Sequence, residues 1–415
     1  MKPWKMEGKW YVSYLGWEED IRKDMPLLPK KVGIRDVTYR EGDDCPGFTL
    51  NVDEKMELLR YAVDMGIEEI DIGGPSMHPH QFQFAEAVKA SGLNVRRTGR
   101  FFANTTMDYK KAADICMQAG STNIRIVIMA LSEEEIFKQL KVFPAMVEYC
   151  HTQHNAEVCW SLSDTLRVRM ELIRKVYEEG LAAGADKASV NDTFGVATPA
   201  IMRYLSATIR KIIPNNMPMK THCHNNYGMA TANTLASVEG GANEVDVAIN
   251  GYGDDAGNAS LEEVAVGLEA LYAIDTGLKL EMLTKYAQRA IEIGRLPIQA
   301  HKAIVGENAF LRPMYVWSGK NMAAESWQPS EPLNPKVVGA EDKVVFGPKG
   351  SLDNEPIEWK LKELGIPYTA TDIVQIRETV EQMIKEELTV KVPRKYVTEL
   401  EFEDICRKVA RGPKA

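Results

Sequence analysis

The chain has 415 residues, with 50 Lys and Arg against 59 Asp and Glu, so its formal net charge is −9. Hydrophobic residues make up 45% and charged residues 26%, which is ordinary for a globular enzyme with one large and one smaller domain. The negative charge argues against a nucleic-acid partner, which would need a basic face. No run approaches the roughly 18 apolar residues of a membrane span.

The first 29 residues form an arm that is rich in Trp and Tyr and lacks the apolar core of a signal peptide. We expect this arm to pack against the body of the protein or against a second copy, because exposed rings would be a liability. The six cysteines are scattered and form no Cys-x-x-Cys pair. This indicates reduced thiols and a cytoplasmic location.

Eight β-rich runs follow in chain order, separated by amphipathic segments that predict helices, such as 52–65, 109–119 and 230–239. The runs are Lys31–Val37, Ile67–Ile72, Val95–Phe102, Asn123–Met129, Glu157–Trp160, Lys187–Val190, Met217–Thr221 and Glu244–Ile249. Eight such units predict a (β/α)8 TIM barrel over residues 30–275. The alternative is an open doubly wound sheet, which usually shows a Gly-rich phosphate loop after its first strand; none is present.

The remaining residues, 276–415, predict a small and mostly helical C-terminal region. The expected helices are Leu280–Leu296, Glu355–Leu364, Thr371–Lys385 and Glu399–Val409.

Two histidines, His222 and His224, stand two residues apart at the end of the seventh run. Residues two apart on a strand point to the same side, so both imidazoles can reach one divalent metal ion. The alternative is a pair of ordinary polar residues at a loop mouth, and the motif alone does not decide between them.

Other polar residues also fall where the predicted strands end, which is where a barrel of this kind has its active site. Roles as caps and turns explain the Gly, Asp and Asn residues there, but not the convergence of Arg, Glu and His. The candidates are Arg40, Glu41, Asp44, Arg100, Ser161, Thr193 and Asn258.

Several motifs resemble the DRE-TIM metallolyase superfamily, and its Claisen-condensing branch of homocitrate and isopropylmalate synthases in particular. The resemblance covers about residues 30–365, and the motifs keep their order. They are Arg40-Glu41-Gly42, the strand-six segment 191–199, His222-Cys223-His224-Asn225, the glycine-rich segment 250–259, and the segment 304–310.

The resemblance implies a divalent metal held by Glu41, His222 and His224, with Asn258 as a further or water-mediated ligand. Carboxylate and imidazole ligands suit Zn²⁺, Mn²⁺, Co²⁺ or Mg²⁺. Open positions on such a metal would bind a 2-oxo acid, and the metal would act as a Lewis acid on the ketone.

The resemblance also implies roles for residues around the metal. Arg40 would stabilise an enolate or alkoxide oxygen, unless it only forms a salt bridge to a carboxylate such as Asp36. Thr193 and Ser161 would bind a substrate carboxylate, although turn and cap roles are common for such residues. Arg100 would bind the distal carboxylate through its bidentate guanidinium.

The chain departs from the synthases in two ways that concern proton transfer. Asp44 stands where the synthases usually have Gln, and the segment 311–319 lacks the acid/base His that they carry there. A condensation needs a base to take a proton from the acyl methyl group. Tyr315 is a possible substitute, although it more readily fills an interface, and Asp44 could act as an acid/base group.

The first hypothesis is a metal-dependent homodimeric synthase that condenses an acyl-CoA, with acetyl-CoA as the expected one, with a 2-oxo acid. The resemblance implies that residues 276–415 form lid subdomains like those of the synthases. The alternative is a CoA-independent aldolase or lyase acting on a 2-oxo or hydroxy acid, which the missing His favours. The second alternative is a non-catalytic binding protein on the same barrel. Retention of Arg40, Glu41, His222, His224 and Asn258 argues against it.

Overall fold

The structure is a computed structural model, and it describes residues 2–314, 332–341, 343–346, 353–387 and 397–410. The chain divides into two compact units. One comprises Met1–Trp4 and Val12–Ile298, and the other comprises Lys5–Tyr11 and Gln299–Ala415.

The aromatic N-terminal arm is divided between the two units. A short antiparallel hairpin of β1 (Lys5–Met6) and β2 (Trp10–Tyr11) belongs to the second unit. There Trp10 is buried and forms a β-bridge with Leu333. Helix α1 (Glu19–Lys23) belongs to the first unit.

Eight parallel strands close into a barrel in the order β10-β3-β4-β5-β6-β7-β8-β9. They are β3 (Gly33–Asp36), β4 (Glu69–Gly73), β5 (Arg96–Phe102), β6 (Asn123–Ile128), β7 (Glu157–Leu162), β8 (Lys187–Asp192), β9 (Met219–Cys223) and β10 (Glu244–Val247). Each of the eight β-rich runs overlaps one of these strands. The predicted TIM barrel is confirmed.

Helices alternate with the strands around the barrel. They are α2 (Thr38–Asp44), α3 (Val52–Met65), α4 (Pro79–Ser91), α5 (Tyr109–Ala119), α6 (Glu133–His154), α7 (Met170–Ala182), α8 (Pro199–Arg210), α9 (Ala230–Glu239), α10 (Leu261–Tyr272) and α11 (Leu283–Gly294). Helix α3 begins in a capping box at Asn51 and ends at Gly66, whose φ of 110° is one that side-chain-bearing residues rarely adopt.

The interior of the barrel is charged, whereas barrels of this class are usually filled by branched aliphatic residues. Lys220 Nζ lies 2.9 Å from Glu69 Oε1, and Lys187 Nζ lies 3.0 Å from Glu244 Oε1. Because an unpaired buried charge is strongly destabilising, these side chains must meet partners of opposite sign. The inward-facing charged residues are Arg35, Glu69, Asp71, Arg125, Lys187, Lys220, Glu244 and Asp246.

The second unit packs three helices on a three-stranded sheet of order β11-β12-β13. The rings of Phe346 and Phe402 stack in its core, with centroids 3.7 Å apart. The strands are β11 (Leu311–Met314), β12 (Lys343–Phe346) and β13 (Val397–Thr398), and the helices are α12 (Asn354–Glu363), α13 (Ala370–Glu387) and α14 (Glu399–Val409). The helical C-terminal region is therefore present.

All six cysteines are free thiols. Among the described residues, no helix is both long enough and apolar enough to span a membrane.

Candidate metal centre

Helix α2 presents the candidate residues of the first barrel loop, and its start is fixed by Asp36. The Asp36 carboxylate accepts the backbone N–H of Thr38 at 2.9 Å and the phenol of Tyr286 at 2.7 Å. The Thr38 hydroxyl in turn accepts the backbone N–H of Ile249 at 2.9 Å. Burial raises the pKa of Asp36, although these hydrogen bonds oppose the rise. The first turn of α2 is thereby tied to distant parts of the barrel.

The two histidines converge as their spacing predicts. His222 lies on β9 and His224 follows the strand, and their Nε2 atoms are 3.2 Å apart. The backbone N–H of His224 donates to the carbonyl of Asp192 at 3.0 Å. Gly195 makes room for this approach, because a Cβ on Gly195 would lie 2.6 Å from the carbonyl oxygen of His224. The imidazole pair is thus held by backbone contacts to the neighbouring strand.

Glu41 completes a triangle of metal-ligating atoms. Its Oε1 lies 3.1 Å from His222 Nε2, and one ligand atom of each of Glu41, His222 and His224 lies within 4.8 Å of the others. All three side chains are buried. Neither Glu41 oxygen accepts a hydrogen bond of normal geometry from any described residue. A buried carboxylate left in this state fits a group that binds a cation.

The protonation states of the triangle also fit metal binding. Burial by itself would raise the pKa of Glu41, but the guanidinium of Arg40 and the imidazole of His222 hold it well below its usual range. Burial and the neighbouring His222 lower the pKa of His224 to about 4. Near neutral pH the site therefore offers an ionised carboxylate and a neutral His224 imidazole, the forms that bind metals.

Asn258 lies beside this triangle on the loop after β10. Its side chain packs directly against Gly253. A Cβ added to Gly253 would overlap Asn258 Oδ1 and would lie 3.4 Å from Glu41 Cβ, so only glycine fits between the two side chains. Both side-chain amide atoms of Asn258 are buried without a hydrogen-bond partner among the described residues. The residue is therefore placed to bind a cation directly or through water.

Arg40 is buried and contacts carboxylates other than the one considered from the sequence. Its guanidinium contacts Glu41, and its Nε lies 3.3 Å from Asp71 Oδ2. Its Nη1 lies 4.0 Å from Asp44 Oδ2. Asp36 instead binds Thr38 and a tyrosine, as described above. The guanidinium is thus fixed next to the candidate ligand.

The proposed substrate residues differ in how far they are already engaged. Ser161 is buried and accepts Arg125 Nε at 3.3 Å, and Thr193 accepts the backbone N–H of Asp164 at 2.9 Å. Arg100 forms no ion pair with any residue that the structure describes, and its Nε is buried without a partner. Tyr315 lies outside the described residues.

Burial, with Arg40 next, lowers the pKa of Arg100 to about 10, so the guanidinium is still charged near neutral pH. Among the three residues proposed to bind substrate, Arg100 is the one that carries a charge, and its guanidinium lies over the ring of Phe102 without an ion-pair contact to a described residue.

Two interior residues were missed from the sequence. Asp246 on β10 accepts His222 Nδ1 at 3.0 Å, and Arg35 on β3 donates two hydrogen bonds to Asp246. A signal was present, since a charged residue inside a strand of a parallel barrel needs a buried partner. The sequence does not reveal which partner it meets.

Comparison with known proteins identifies the family. The HMGL-like family model matches residues 31–289. Homocitrate synthase AksA of Methanopyrus kandleri is 32% identical over 389 residues, covering 92% of this chain and 93% of that protein. 2-Isopropylmalate synthase of Methanocaldococcus jannaschii is 32% identical over 367 residues, covering 86% and 68%. The chain belongs to the HMGL-like family, it is an enzyme, and the resemblance to the DRE-TIM metallolyases is confirmed.

Solved structures agree on the fold. The HMG-CoA lyase of Bacillus subtilis superposes with a TM-score of 0.56 at 21% identity, covering 65% of this chain and 96% of that protein. At this identity the likeness supports the barrel architecture only.

Removing the charge of Glu41 tests the ligand triangle. We expect Glu41→Gln to weaken Mn²⁺ or Zn²⁺ binding more than about 100-fold, because a neutral amide is a poor replacement for a carboxylate ligand. Isothermal titration calorimetry measures the affinity, and circular dichroism checks the fold. Glu57→Gln, at a surface ion pair with Arg289, is the control and should bind as the unmodified chain does. Equal affinities for both variants would contradict the site.

His224 should make the metal-free protein sensitive to acid. Its pKa is lowered to about 4 when folded, against about 6.5 when unfolded, so the unfolded chain takes up the proton first. The free energy of unfolding should therefore fall as pH drops from about 6.5 to about 4, by at most about 1.4 kcal/mol per pH unit from this group. Urea titrations in the presence of a chelator measure this free energy at each pH. In His224→Asn it should fall less steeply between pH about 6.5 and about 4. Parallel pH profiles for the two proteins would contradict the assignment.

Proposed function

We propose that this enzyme condenses an acyl-CoA with a 2-oxo acid at a divalent metal held by Glu41, His222 and His224. The acyl-CoA that we expect is acetyl-CoA. The observation that carries the proposal is the buried triangle of ligand atoms with Arg40 in contact with its carboxylate. The relatives named as homocitrate and isopropylmalate synthases support the kind of reaction. The metal, when bound, would act as a Lewis acid toward the ketone.

The reaction has a defined balance of atoms. The acyl α-carbon loses a proton and forms a bond to the ketone carbon, and the ketone oxygen gains a proton to become a hydroxyl. Water then cleaves the thioester and releases the free CoA thiol. Each condensation therefore yields one thiol and one hydroxy acid.

Arg40 would stabilise the oxygen that gains negative charge. Because its guanidinium is already fixed by Asp71 and Glu41, little reorganisation is needed when the charge develops. Its buried position strengthens the interaction relative to water.

Asp44 is our candidate for the base that takes the α-proton. It follows Arg40 by one helical turn and its side chain is about half exposed. Burial raises its pKa above the ordinary Asp value, although Arg40 opposes the rise. Tyr315 stays a prediction, as do the homodimer, the C-terminal lid and the cytoplasmic location.

A second candidate is a CoA-independent aldolase or lyase on the same metal and Arg40. It is favoured by the absence of His from the segment 311–319. The two candidates share the metal centre and differ in whether a CoA thiol is released.

A thiol-release assay with acetyl-CoA and a panel of 2-oxo acids, with and without Mn²⁺, distinguishes the candidates. We expect thiol release that depends on the metal. Its rate should fall by at least about 100-fold in Arg40→Lys, because Lys lacks the planar guanidinium that donates two hydrogen bonds to the oxygen that gains charge. Metal affinity should change little in this variant. Formation of 2-oxo acid from hydroxy acids without thiol release would favour the lyase. If the metal is bound and neither thiol nor 2-oxo acid is formed, the proposal of an enzymatic reaction at this site is contradicted.

Arg100 has a buried Nε that donates no hydrogen bond to a described residue, and it predicts a 2-oxo acid with a second carboxylate. Arg100→Met should reduce kcat/KM for dicarboxylic 2-oxo acids such as 2-oxoglutarate by about 10–100-fold, since a charge-assisted hydrogen bond contributes roughly 1.5–3 kcal/mol. Turnover of a monocarboxylic 2-oxo acid should change much less. Arg97→Met is the control, because Arg97 binds the backbone carbonyls of Gly120 and Val95 instead. An equal loss for both substrate classes would count against this role.

A further inference from the structure

We propose that Asp246 and Arg35 are positioning residues for the metal centre: Asp246 holds His222 with its proton on Nδ1, so that Nε2 is free to bind the cation, and Arg35 holds Asp246. This inference rests on the proposed metal centre and extends it to residues outside the ligand set. It concerns metal affinity and the state of one imidazole, which are measured separately from turnover.

The first step is the contact between His222 and Asp246. His222 Nδ1 lies 3.0 Å from Asp246 Oδ2, and the carboxylate is fully buried. The other ring nitrogen, Nε2, faces Glu41 Oε1 at 3.1 Å and His224 Nε2 at 3.2 Å. Asp246 and Glu41 are both carboxylates that can accept a proton from the ring, one on each side of it. Once a cation occupies the Glu41 side, Asp246 is the acceptor that is left, and it keeps the proton on Nδ1. That tautomer leaves the Nε2 lone pair directed at the ligand triangle.

The second step is the orientation of Asp246 itself. Arg35 Nε donates to Asp246 Oδ1 at 2.7 Å, and Arg35 Nη2 donates to Asp246 Oδ2 at 2.6 Å. This two-point contact fixes the plane of the carboxylate as well as its charge. Arg125 Nη1 adds a third cationic contact at 3.5 Å. The carboxylate can therefore not turn away from His222 without leaving a buried guanidinium unpaired.

The third step is that the contacts close into a ring. Arg35 Nη1 lies 3.4 Å from Asp71 Oδ2, and the same Asp71 oxygen lies 3.3 Å from Arg40 Nε. Arg40 contacts Glu41, which faces His222 and so returns to the starting point. One buried guanidinium thus supports an imidazole ligand on one side and the proposed catalytic arginine on the other. The ring consists of Arg35, Asp71, Arg40, Glu41, His222 and Asp246.

The same strand supplies a matched control. Glu244 stands two residues before Asp246, so both side chains point into the barrel. Glu244 pairs with Lys187 at 3.0 Å and with Lys220 at 3.6 Å, away from the histidines. Asp246→Asn and Glu244→Gln therefore make the same acid-to-amide change on the same face of one strand. Only the first removes the carboxylate that holds His222.

Metal titration of the two variants tests the positioning role. We expect Asp246→Asn to bind Mn²⁺ or Co²⁺ about 10–100-fold more weakly, the usual effect of removing a carboxylate that orients a ligating His, and to change the visible spectrum of bound Co²⁺. Glu244→Gln should keep both the affinity and the spectrum, whatever its effect on stability. Unchanged affinity in Asp246→Asn, or an equal loss in both variants, would overturn the proposal.

The tautomer of His222 can be read in the unmodified chain, which avoids any folding defect of a variant. The chain has 7 histidines, so selective ¹⁵N-histidine labelling gives few signals, and His222→Gln identifies the relevant one. In protein loaded with Zn²⁺ we expect a proton on Nδ1 and the metal on Nε2; an Nδ1 without a proton would overturn the proposal. Absence of turnover together with the expected affinities and tautomer would count against the reaction alone.

Discussion

Asp246 accepts two hydrogen bonds from Arg35 and faces His222 inside the barrel, and the geometry of the candidate site depends on these contacts. A buried carboxylate that lost its cation would cost roughly 3–5 kcal/mol, so the chain cannot rotate one of these side chains without rearranging the others. The same constraint applies to Asp71, which lies between Arg35 and Arg40. Burial would raise the pKa of Asp246, but the guanidinium of Arg35 holds it well below its usual range. The carboxylate therefore stays ionised where the site needs it.

The polar contacts of the charged interior differ between the two ends of the barrel. Toward one end, Glu69 and Glu244 form ion pairs with Lys187 and Lys220. Toward the carboxyl ends of the strands, Glu41 and Asn258 keep buried polar atoms that form no hydrogen bond of normal geometry with a described residue. A buried carboxylate and a buried amide with unused hydrogen-bonding atoms, next to two imidazoles, mark where a cation can be accommodated. This is the physical basis for placing the proposed reaction there.

The order and type of the barrel elements could be predicted from the sequence because each depends on local pattern. Residues 52–65, 109–119 and 230–239 form helices with the predicted limits. The convergence of His222 and His224 also follows from strand geometry alone. Helix α2 could not be predicted, because its start depends on Ile249 and Tyr286, which are more than 200 residues away along the chain.

The partners of the interior charges could not be predicted for the same reason. Arg35 and Asp246 are separated by 211 residues and meet only because β10 closes the barrel against β3. Asp44 and Arg40 are one helical turn apart, so their proximity follows once α2 is known to be a helix. Family membership was predictable from short motifs, whereas the atoms that orient those motifs required the closed barrel.

Anomalous diffraction from crystals grown with Mn²⁺ tests the central claim most directly. We predict one strong peak within about 2.0–2.3 Å of Glu41 and of the Nε2 atoms of His222 and His224, the distances expected for carboxylate and imidazole ligands. A crystal that contains Mn²⁺ at another place, with these three side chains unoccupied, would contradict the account.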